Sequence, residues 1–216
     1  MSQSSTRPAH IMPYILPFGV FALFTYSVPL FNIGNGFVYP LKTIGVALAL
    51  AWCWKSYKDE IRFVFSWEAV LSGVLVFVVW ILLDDNYPHL GKTAFNPYEE
   101  ASGSFVYPVI AFRLIGASLV VPLMEEIFWR SFAMRFVMDA NFKKVPLGQF
   151  SWLSFILIAV AFGLAHHRWL AGIFAGLVYA GILCRSKNLF VPILSHAVTN
   201  LLLGIYVLTT EQWSYW

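Results

Sequence analysis

The residues with the clearest chemical potential in this chain are two adjacent glutamates, Glu125 and Glu126, which lie in the apolar run 121–130. A carboxylate at membrane depth is costly, so by default it marks a functional site. Glu126 and Arg130 are four residues apart with the acid first, the favourable order for a pair on one helical face. Glu125 lies about 100° round the helix from Glu126 and has no such local partner. An unpaired carboxylate in that position is a candidate general base or acid.

Two further groups of polar residues lie in apolar segments later in the chain. In the first, Phe162 and His166 share a helical face. Spacing alone does not choose between His166 and the adjacent His167 as the working residue. In the second, His196 and Asn200 are four residues apart on one face, and both can donate hydrogen bonds to a developing negative charge.

Each group also has a structural interpretation. The glutamates can pair with Arg113 or Arg130 to lock helices together, and a histidine on an apolar face is often a satisfied core residue. His196 and Asn200 can form an interhelical hydrogen-bonding pair. Each group is costly against lipid, so a shared interior cavity is the least costly arrangement for all of them. Carboxylate plus imidazole can activate water, which predicts a hydrolase without a serine or cysteine nucleophile.

The composition predicts an integral membrane protein. The chain has 216 residues, of which 59% are hydrophobic and 12% charged, with a mean hydropathy of +0.71. An ordinary soluble domain has about 25% charged residues. The length therefore predicts one all-α domain over residues 1–216, a polytopic membrane helical bundle of about seven to eight transmembrane helices of about 20 residues each.

Charge and cysteine content exclude other classes. The net charge of +3 is small and scattered, so no nucleic-acid partner is expected. The two cysteines, Cys53 and Cys184, lie in or beside apolar segments and predict neither a disulfide framework nor a metal site. The apolar segment that begins at Ile11 has no small-residue cleavage site, which indicates a retained first span rather than a signal peptide.

Hydropathy predicts seven helices, listed here by residue number: 11–31, 37–55, 66–83, 104–139, 150–165, 168–186 and 189–209. The fourth is too long for one straight span, so either Pro108 and Pro122 break it or its ends project from the bilayer. The sixth has a face of small residues that allows close backbone approach: Ala171, Gly172, Ala175, Gly176 and Ala180.

Loop charges predict the orientation. Basic residues lie in the N-terminus and in the second, fourth and sixth loops: Arg7, Lys55, Lys58, Arg62, Arg135, Lys143, Lys144, Arg185 and Lys187. The opposite side has the loop 32–36 and acidic residues: Asp84, Asp85, Glu99, Glu100 and Glu211. The positive-inside rule therefore predicts a cytoplasmic N-terminus, in a prokaryotic cytoplasmic membrane. The short loop 166–168 is the one exception.

Together, the three polar groups resemble the motifs of the CAAX-protease and bacteriocin-processing family, also called the ABI or Rce1-like intramembrane proteases. The family pattern occurs here in order on separate predicted helices: Glu125-Glu126-x-x-x-Arg130, Phe162-x-x-x-His166 and His196-x-x-x-Asn200. The resemblance covers about residues 104–210, which makes that region the predicted catalytic core. More loosely, the chain is similar to the bacterial CAAX-protease-related proteins associated with exosortases.

The resemblance implies a role for each matched residue. Glu125 is implied to be the general base that activates water, and His166 to help hold that water. The phenylalanine-spaced pattern selects His166 over His167. His196 and Asn200 are implied to form the oxyanion hole.

The resemblance further implies that Glu126, Arg130 and Phe162 support the site. It implies an amphipathic or lipidated peptide substrate, with a prenylated CAAX-type peptide as one candidate, that enters from the cytoplasmic side or laterally from the bilayer. It implies no cofactor. Simple helix counting places Glu125 in the cytoplasmic half and His166 near the opposite face. A short, recessed fifth helix would resolve that conflict, and its predicted length of about 16 residues is indeed less than a full span.

Two other functions fit the same residues. A zinc protease could use Glu125, His166 and His196 as ligands, although the sequence has no His-Glu-x-x-His element and Asn200 is then without a role. A transporter, immunity protein or scaffold could use the polar cluster for proton or ion coordination. The lack of recognisable inverted repeats counts against a transporter.

Overall fold

The computed structural model describes residues 11–31, 35–91 and 94–216, and this part of the chain is helical without strands. These ranges contain seven long helices: α1 Met12–Phe31, α2 Asn35–Cys53, α3 Trp67–Leu83, α4 Gly103–Met138, α5 Trp152–Leu164, α6 Trp169–Ser186 and α7 Phe190–Thr210. The predicted all-α class is confirmed, and the predicted helix bounds agree to within a few residues. Arg7 and residues 32–34, on which part of the predicted orientation rests, lie outside the described residues.

Four of the helical segments are long and apolar enough to cross a membrane: Trp67–Asn86, Gly103–Met138, Trp169–Ser186 and Phe190–Thr210. Two shorter apolar helical segments are Met12–Tyr26 in α1 and Trp152–Leu164, which is α5. Large apolar side chains such as Leu23, Trp52 and Leu71 are exposed on the outside of the bundle. An apolar exterior over polar buried groups is the arrangement expected of a helical membrane bundle.

Helix α4 runs without a break through both prolines, so the predicted break at Pro108 and Pro122 is wrong. The helix instead contains two π-helical turns, Gly116–Val120 and Ile127–Ala133. In the first turn the Val121 N–H donates to the Gly116 carbonyl five residues earlier. A π turn can absorb a residue that the regular α-helical ladder does not accommodate, and Pro122 lies two residues beyond the end of this turn.

The small-residue face predicted on α6 packs against α5. A Cβ added to Gly172 would lie 2.9 Å from the Cα of Gly163, and one added to Gly176 would lie 2.9 Å from the carbonyl oxygen of Ala159. Such distances leave no room for a side chain between the two backbones. The contact holds α5 in a fixed position although that helix has only 13 residues.

Helix α7 packs equally closely against α3. A Cβ on Gly73 would lie 2.5 Å from the Ser195 carbonyl oxygen, and the hydroxyls of Ser72 and Ser195 are 2.9 Å apart. The Thr199 hydroxyl donates to the Gly73 carbonyl over 2.9 Å. These contacts fix the rotation of α7 about its axis, which determines where His196 points.

A charged cluster joins the loop ends near Arg168. Its guanidinium pairs with Asp84, donates to the Ser214 carbonyl over 2.8 Å and lies 3.8 Å from the centre of the Tyr215 ring. Burial, reinforced by Asp84, raises the pKa of the Tyr215 hydroxyl, so this residue stays neutral. The pairing with Asp84 explains why the one basic loop on the acidic side is tolerated.

A second cluster joins the loop after α2 to the far end of α4. Arg135 donates to the Glu60 carboxylate over 2.7 Å, and Ser131 also donates to that carboxylate. The Tyr14 hydroxyl bonds to the carbonyl of Ser56 over 2.7 Å. The Arg168 cluster therefore joins loops to one another, and the Glu60 cluster joins α4 to the loop after α2.

Replacing Gly172 with alanine is expected to destabilise the detergent-purified protein, because the new Cβ meets the backbone of α5 and overpacking costs about 1–3 kcal/mol. Gly181→Ala is the matched control on the same helix, since nothing lies within 4 Å of its Cβ position. Alanine at residue 181 should be neutral or stabilise by up to about 1 kcal/mol. Thermal unfolding followed by tryptophan fluorescence measures both, and a Gly172→Ala protein as stable as wild type would contradict the close contact.

Candidate active site

The structure brings the four candidate catalytic residues to one cavity inside the bundle. Glu125 comes from α4, His166 from the residues directly after α5, and His196 and Asn200 from α7. The cavity has a volume of about 180 Å³, which is enough for several water molecules. Residues that are up to 75 positions apart in the sequence are thus gathered in one polar space within an apolar bundle.

Glu126 and Arg130 form a fully buried ion pair beside this cavity. Their side chains have no exposed surface, and the Arg130 Nε lies 3.1 Å from the Glu126 Oε2. The other carboxylate oxygen of Glu126 accepts from the His196 Nδ1 over 3.0 Å. Glu126 therefore forms an ion pair within its own helix and a hydrogen bond across to α7, which orients His196 and selects Nδ1 as its donor nitrogen.

Phe162 has a defined position in this arrangement. Its ring centre lies 4.8 Å from the Arg130 guanidinium carbon, which is a cation–π contact. The same ring is 4.7 Å from the His166 ring and 5.9 Å from the His196 ring. The aromatic residue of the Phe-x-x-x-His motif therefore packs against the buried cation and against both candidate histidines.

Glu125 faces His166 across a short gap. The Glu125 Oε2 and the His166 Nε2 are 4.0 Å apart, and within the described residues Oε2 is buried without a hydrogen-bond partner. The His166 Nδ1 lies 2.7 Å from the Phe162 carbonyl oxygen. A carbonyl only accepts, so Nδ1 carries a proton, and Nε2 is the nitrogen that faces the carboxylate.

His167 points elsewhere. Its Nδ1 bonds to the carbonyl of Leu90, and its side chain is exposed in the loop that follows α5. The choice between the two histidines, which spacing left open, is thus decided by geometry in favour of His166 as the neighbour of Glu125. The 13 residues of α5 span about 20 Å, less than the hydrocarbon core. This short helix brings His166 to the cavity that Glu125 also lines, which resolves the conflict raised by helix counting.

Asn200 bonds to the π-helical turn of α4. Its Nδ2 donates to the Ala117 carbonyl over 2.8 Å. The Val121 N–H donates to the Gly116 carbonyl five residues earlier, so in the same spacing the Ala117 carbonyl would accept from residue 122. That residue is Pro122, which has no N–H. The Asn200 amide supplies the bond that Pro122 cannot make, and its second N–H remains for a group in the cavity that Asn200 lines.

Further residues of the cavity were not predicted as site residues from the sequence. The Tyr179 ring stacks on the His196 ring at 4.9 Å, and the Tyr179 hydroxyl donates to the Thr199 hydroxyl over 2.9 Å. Trp80 packs its edge against His166 at 5.8 Å. Tyr179 and Trp80 lie in apolar helices where aromatic residues are ordinary core, so no local signal singled them out.

Arg113 has a different position from the one that a structural ion pair would give it. It lines the cavity, whereas Arg130 is the arginine that pairs with Glu126. The alternative of a glutamate pair with Arg113 is therefore wrong.

The ligand set of the zinc alternative is not assembled. Among the described residues, no three His, Cys, Asp or Glu side chains are placed to hold a metal ion. The geometry therefore gives no support to Glu125, His166 and His196 as a zinc site.

Comparison with known proteins gives one family. The family described as Rce1-like, Type II CAAX prenyl endopeptidase Rce1-like, matches residues 107–202. No curated protein and no solved structure gave a significant match. The matched segment includes all three motifs, and nothing in it distinguishes the exosortase-associated subgroup. Over this segment the chain is similar to the Rce1-like CAAX-protease family, and its long apolar helices are those of a helical membrane bundle.

Proposed function

We propose that this protein is an intramembrane endopeptidase of the glutamate type, in which Glu125 and His166 activate a water molecule. Its substrate is a membrane-associated or lipidated peptide, which it cleaves near the C-terminus. The observation that carries the proposal is the 4.0 Å separation of the Glu125 Oε2 and the His166 Nε2 within one cavity. The similarity of residues 107–202 to the Rce1-like CAAX prenyl endopeptidase family supports the same chemistry.

The separation suits a bridging water. With Glu125 ionised and the His166 Nε2 without a proton, both atoms are hydrogen-bond acceptors. They then do not bond to each other, but one water can donate to each. Two hydrogen bonds of about 2.7–2.8 Å from one oxygen span roughly 4–4.5 Å between their acceptors. A water held in this way keeps its lone pairs for the carbonyl carbon of the scissile bond.

In the chemical step the water oxygen bonds to the scissile carbonyl carbon while Glu125 accepts the water proton. The carbonyl oxygen becomes an oxyanion as the π bond opens. When that intermediate collapses, the C–N bond breaks and Glu125 returns its proton to the departing amine. The products are a new carboxyl terminus and a new amino terminus, and the enzyme regains its starting protonation.

His196 and Asn200 stabilise the oxyanion. The Asn200 amide holds one N–H on the Ala117 carbonyl and gives the other to the oxyanion. The proposed second donor is the ring edge of His196 that faces the cavity, while its Nδ1 is held by the Glu126 carboxylate. Preorganised donors of this kind act strongly where water is excluded.

Glu126 and Arg130 support the step without touching the substrate. Glu126 aligns His196, and Arg130 balances the buried negative charge. Phe162 covers Arg130 and holds the His166 ring through its backbone carbonyl. These three residues are positioning residues, since each acts through its contact with His196, His166 or the buried ion pair; Phe162 also lines the cavity.

The substrate class follows from the family name and from the apolar setting. CAAX motifs carry a prenyl group on a cysteine close to the C-terminus, and the family is described as a prenyl endopeptidase. We propose an amphipathic or lipidated C-terminal peptide that reaches the cavity from the bilayer or from its cytoplasmic face. The bilayer of a prokaryotic cytoplasmic membrane, with the N-terminus inside, is the proposed location.

Glu125→Gln keeps the side-chain volume but cannot accept a proton, so kcat/KM is expected to fall by about 10²–10⁴-fold. The assay incubates purified protein with a library of amphipathic and lipidated C-terminal peptides, with and without chelator, and detects products by mass spectrometry. Glu211→Gln, a neutralised exposed glutamate beyond α7, is the matched control and should cleave normally. Wild-type turnover by Glu125→Gln would refute the mechanism, and activity lost to chelator would favour a metal.

The two adjacent histidines provide a second test. His166→Ala removes the nitrogen that faces Glu125, so cleavage is expected to fall by about 10²-fold or more. His167→Ala removes only the bond to the Leu90 carbonyl and should retain cleavage. Initial rates on the best library peptide measure both variants, and the reverse order of activities would show that the wrong histidine has been assigned.

Asn200→Ala removes one oxyanion donor and is expected to lower kcat by about 10²–10³-fold. KM should change little, because the bond is made in the transition state. Asn86→Ala is the control: the Asn86 amide also donates to a backbone carbonyl, that of Leu82 over 2.9 Å, but it is exposed outside the cavity. A kcat for Asn200→Ala equal to that of Asn86→Ala would leave Asn200 with a packing role only.

A further inference from the structure

We propose that Arg113 binds the free C-terminal carboxylate of the peptide substrate and thereby selects chain ends over internal peptide segments. The inference rests on the proposed function, because it needs the peptide to lie in the cavity that holds Glu125. It adds a specificity-determining residue that neither the motifs nor the catalytic geometry includes. Arg113 and Glu125 are both on α4 and both line this cavity.

Three aromatic rings surround the Arg113 guanidinium. Its central carbon lies 4.6 Å from the ring centre of Tyr39, 4.5 Å from that of Phe95 and 5.3 Å from that of Trp216. These rings come from α2, from the loop before α4 and from the segment after α7. Contacts from three parts of the chain hold the cation in place and limit its exposure to water.

The rings do not satisfy the hydrogen-bonding capacity of this cation. Within the described residues the Arg113 Nε is buried without a hydrogen-bond partner, and none of the ion pairs formed there includes Arg113. A guanidinium has five N–H donors, and a desolvated charge is costly unless it is paired. An anion that enters the cavity would give this nitrogen the partner that it lacks among the described residues.

A carboxylate fits this site better than other anions of a peptide. Arginine binds carboxylates through two parallel N–H···O bonds, and these bonds are among the stronger ones in proteins. A second cation adds to the positive charge, since the Lys42 Nζ lies 4.6 Å from the centre of the same Tyr39 ring. The end of the cavity near Arg113 is thus cationic, whereas the end near Glu125 carries the carboxylate and the imidazoles.

The spacing suits a peptide that is cut a few residues from its end. Arg113 and Glu125 are twelve residues apart on α4, which corresponds to about 18 Å of helical rise. Both side chains extend into the cavity, so the gap that the peptide bridges is shorter. Extended chain advances about 3.3–3.4 Å per residue, so about three to five residues fit between the scissile bond and the carboxylate.

The test compares a peptide acid with its amide. The probe is a fluorescent, farnesylated Cys-aliphatic-aliphatic-Met peptide, made with a C-terminal carboxylate or a carboxamide. Binding is measured on the Glu125→Gln protein, so that cleavage does not interfere. We expect the acid to bind about tenfold more tightly or better, and the preference to disappear when Arg113→Gln is added. Arg113→Lys should keep part of it, because lysine has the charge without the planar fork.

Adding Arg185→Gln instead provides the control, because Arg185 is exposed and pairs with Glu68 over 3.3 Å. That protein should retain the full preference for the acid. The ratio of acid to amide binding within one variant does not depend on the fraction of protein that is folded, so a destabilised Arg113→Gln protein still gives an answer. Equal binding of the two forms before Arg113 is changed, or binding of neither, would overturn the inference.

Cleavage by the wild-type protein separates this inference from the proposed function. Cleavage of both peptides with no preference for the acid overturns only the role of Arg113. A clear preference for the acid in binding, without any cleavage by the wild type, overturns only the peptidase. Loss of the acid preference in Arg185→Gln as well would show that net charge, rather than the caged arginine, produces it.

Discussion

The buried pair of Glu126 and Arg130 is the interaction on which the arrangement of this bundle depends. Neither side chain has any exposed surface, and a charge held away from water is tolerated only with a close and well-oriented partner. Glu126 also binds His196 of α7, and Arg130 also lies against Phe162 of α5. The three helices therefore meet at one depth, since moving α7 away would remove the hydrogen bond of Glu126 and moving α5 away would remove the ring beside Arg130.

The π-helical turn of α4 makes a second demand. Pro122 cannot supply a backbone N–H, so the Ala117 carbonyl requires a donor from elsewhere, and the Asn200 amide provides it. Tight contacts of Gly73 with α7 hold that helix in the rotation that delivers this amide. Asn200, which has a proposed role in the reaction, thus also satisfies a backbone carbonyl of the helix that carries Glu125. This hydrogen bond matters in a membrane, where unsatisfied backbone groups are costly.

The cavity has two chemically different ends, and together they suit an enzyme that acts close to a chain terminus. One end holds Glu125 and His166, which can share a water. The other holds Arg113 among three aromatic rings, with no anion from the described residues beside it. An internal segment of a membrane protein has no carboxylate to place there. A cation at a fixed distance from the general base would therefore restrict cleavage without a large recognition surface, which a chain of 216 residues has little room to build.

Local sequence determined the helices and the list of candidate residues, because hydropathy and i,i+4 spacing act within one segment. It predicted seven helices, the small-residue face of α6 and the polar groups that contain Glu125, His166 and His196. It did not determine that α4 passes through Pro122 without a break, because a π turn is stabilised by partners such as Asn200 from another helix. It also left His166 and His167 equivalent and gave Arg113 no distinct role. Only the tertiary structure decided these points, since each depends on which side chains and backbone groups from distant segments meet in the low-dielectric interior.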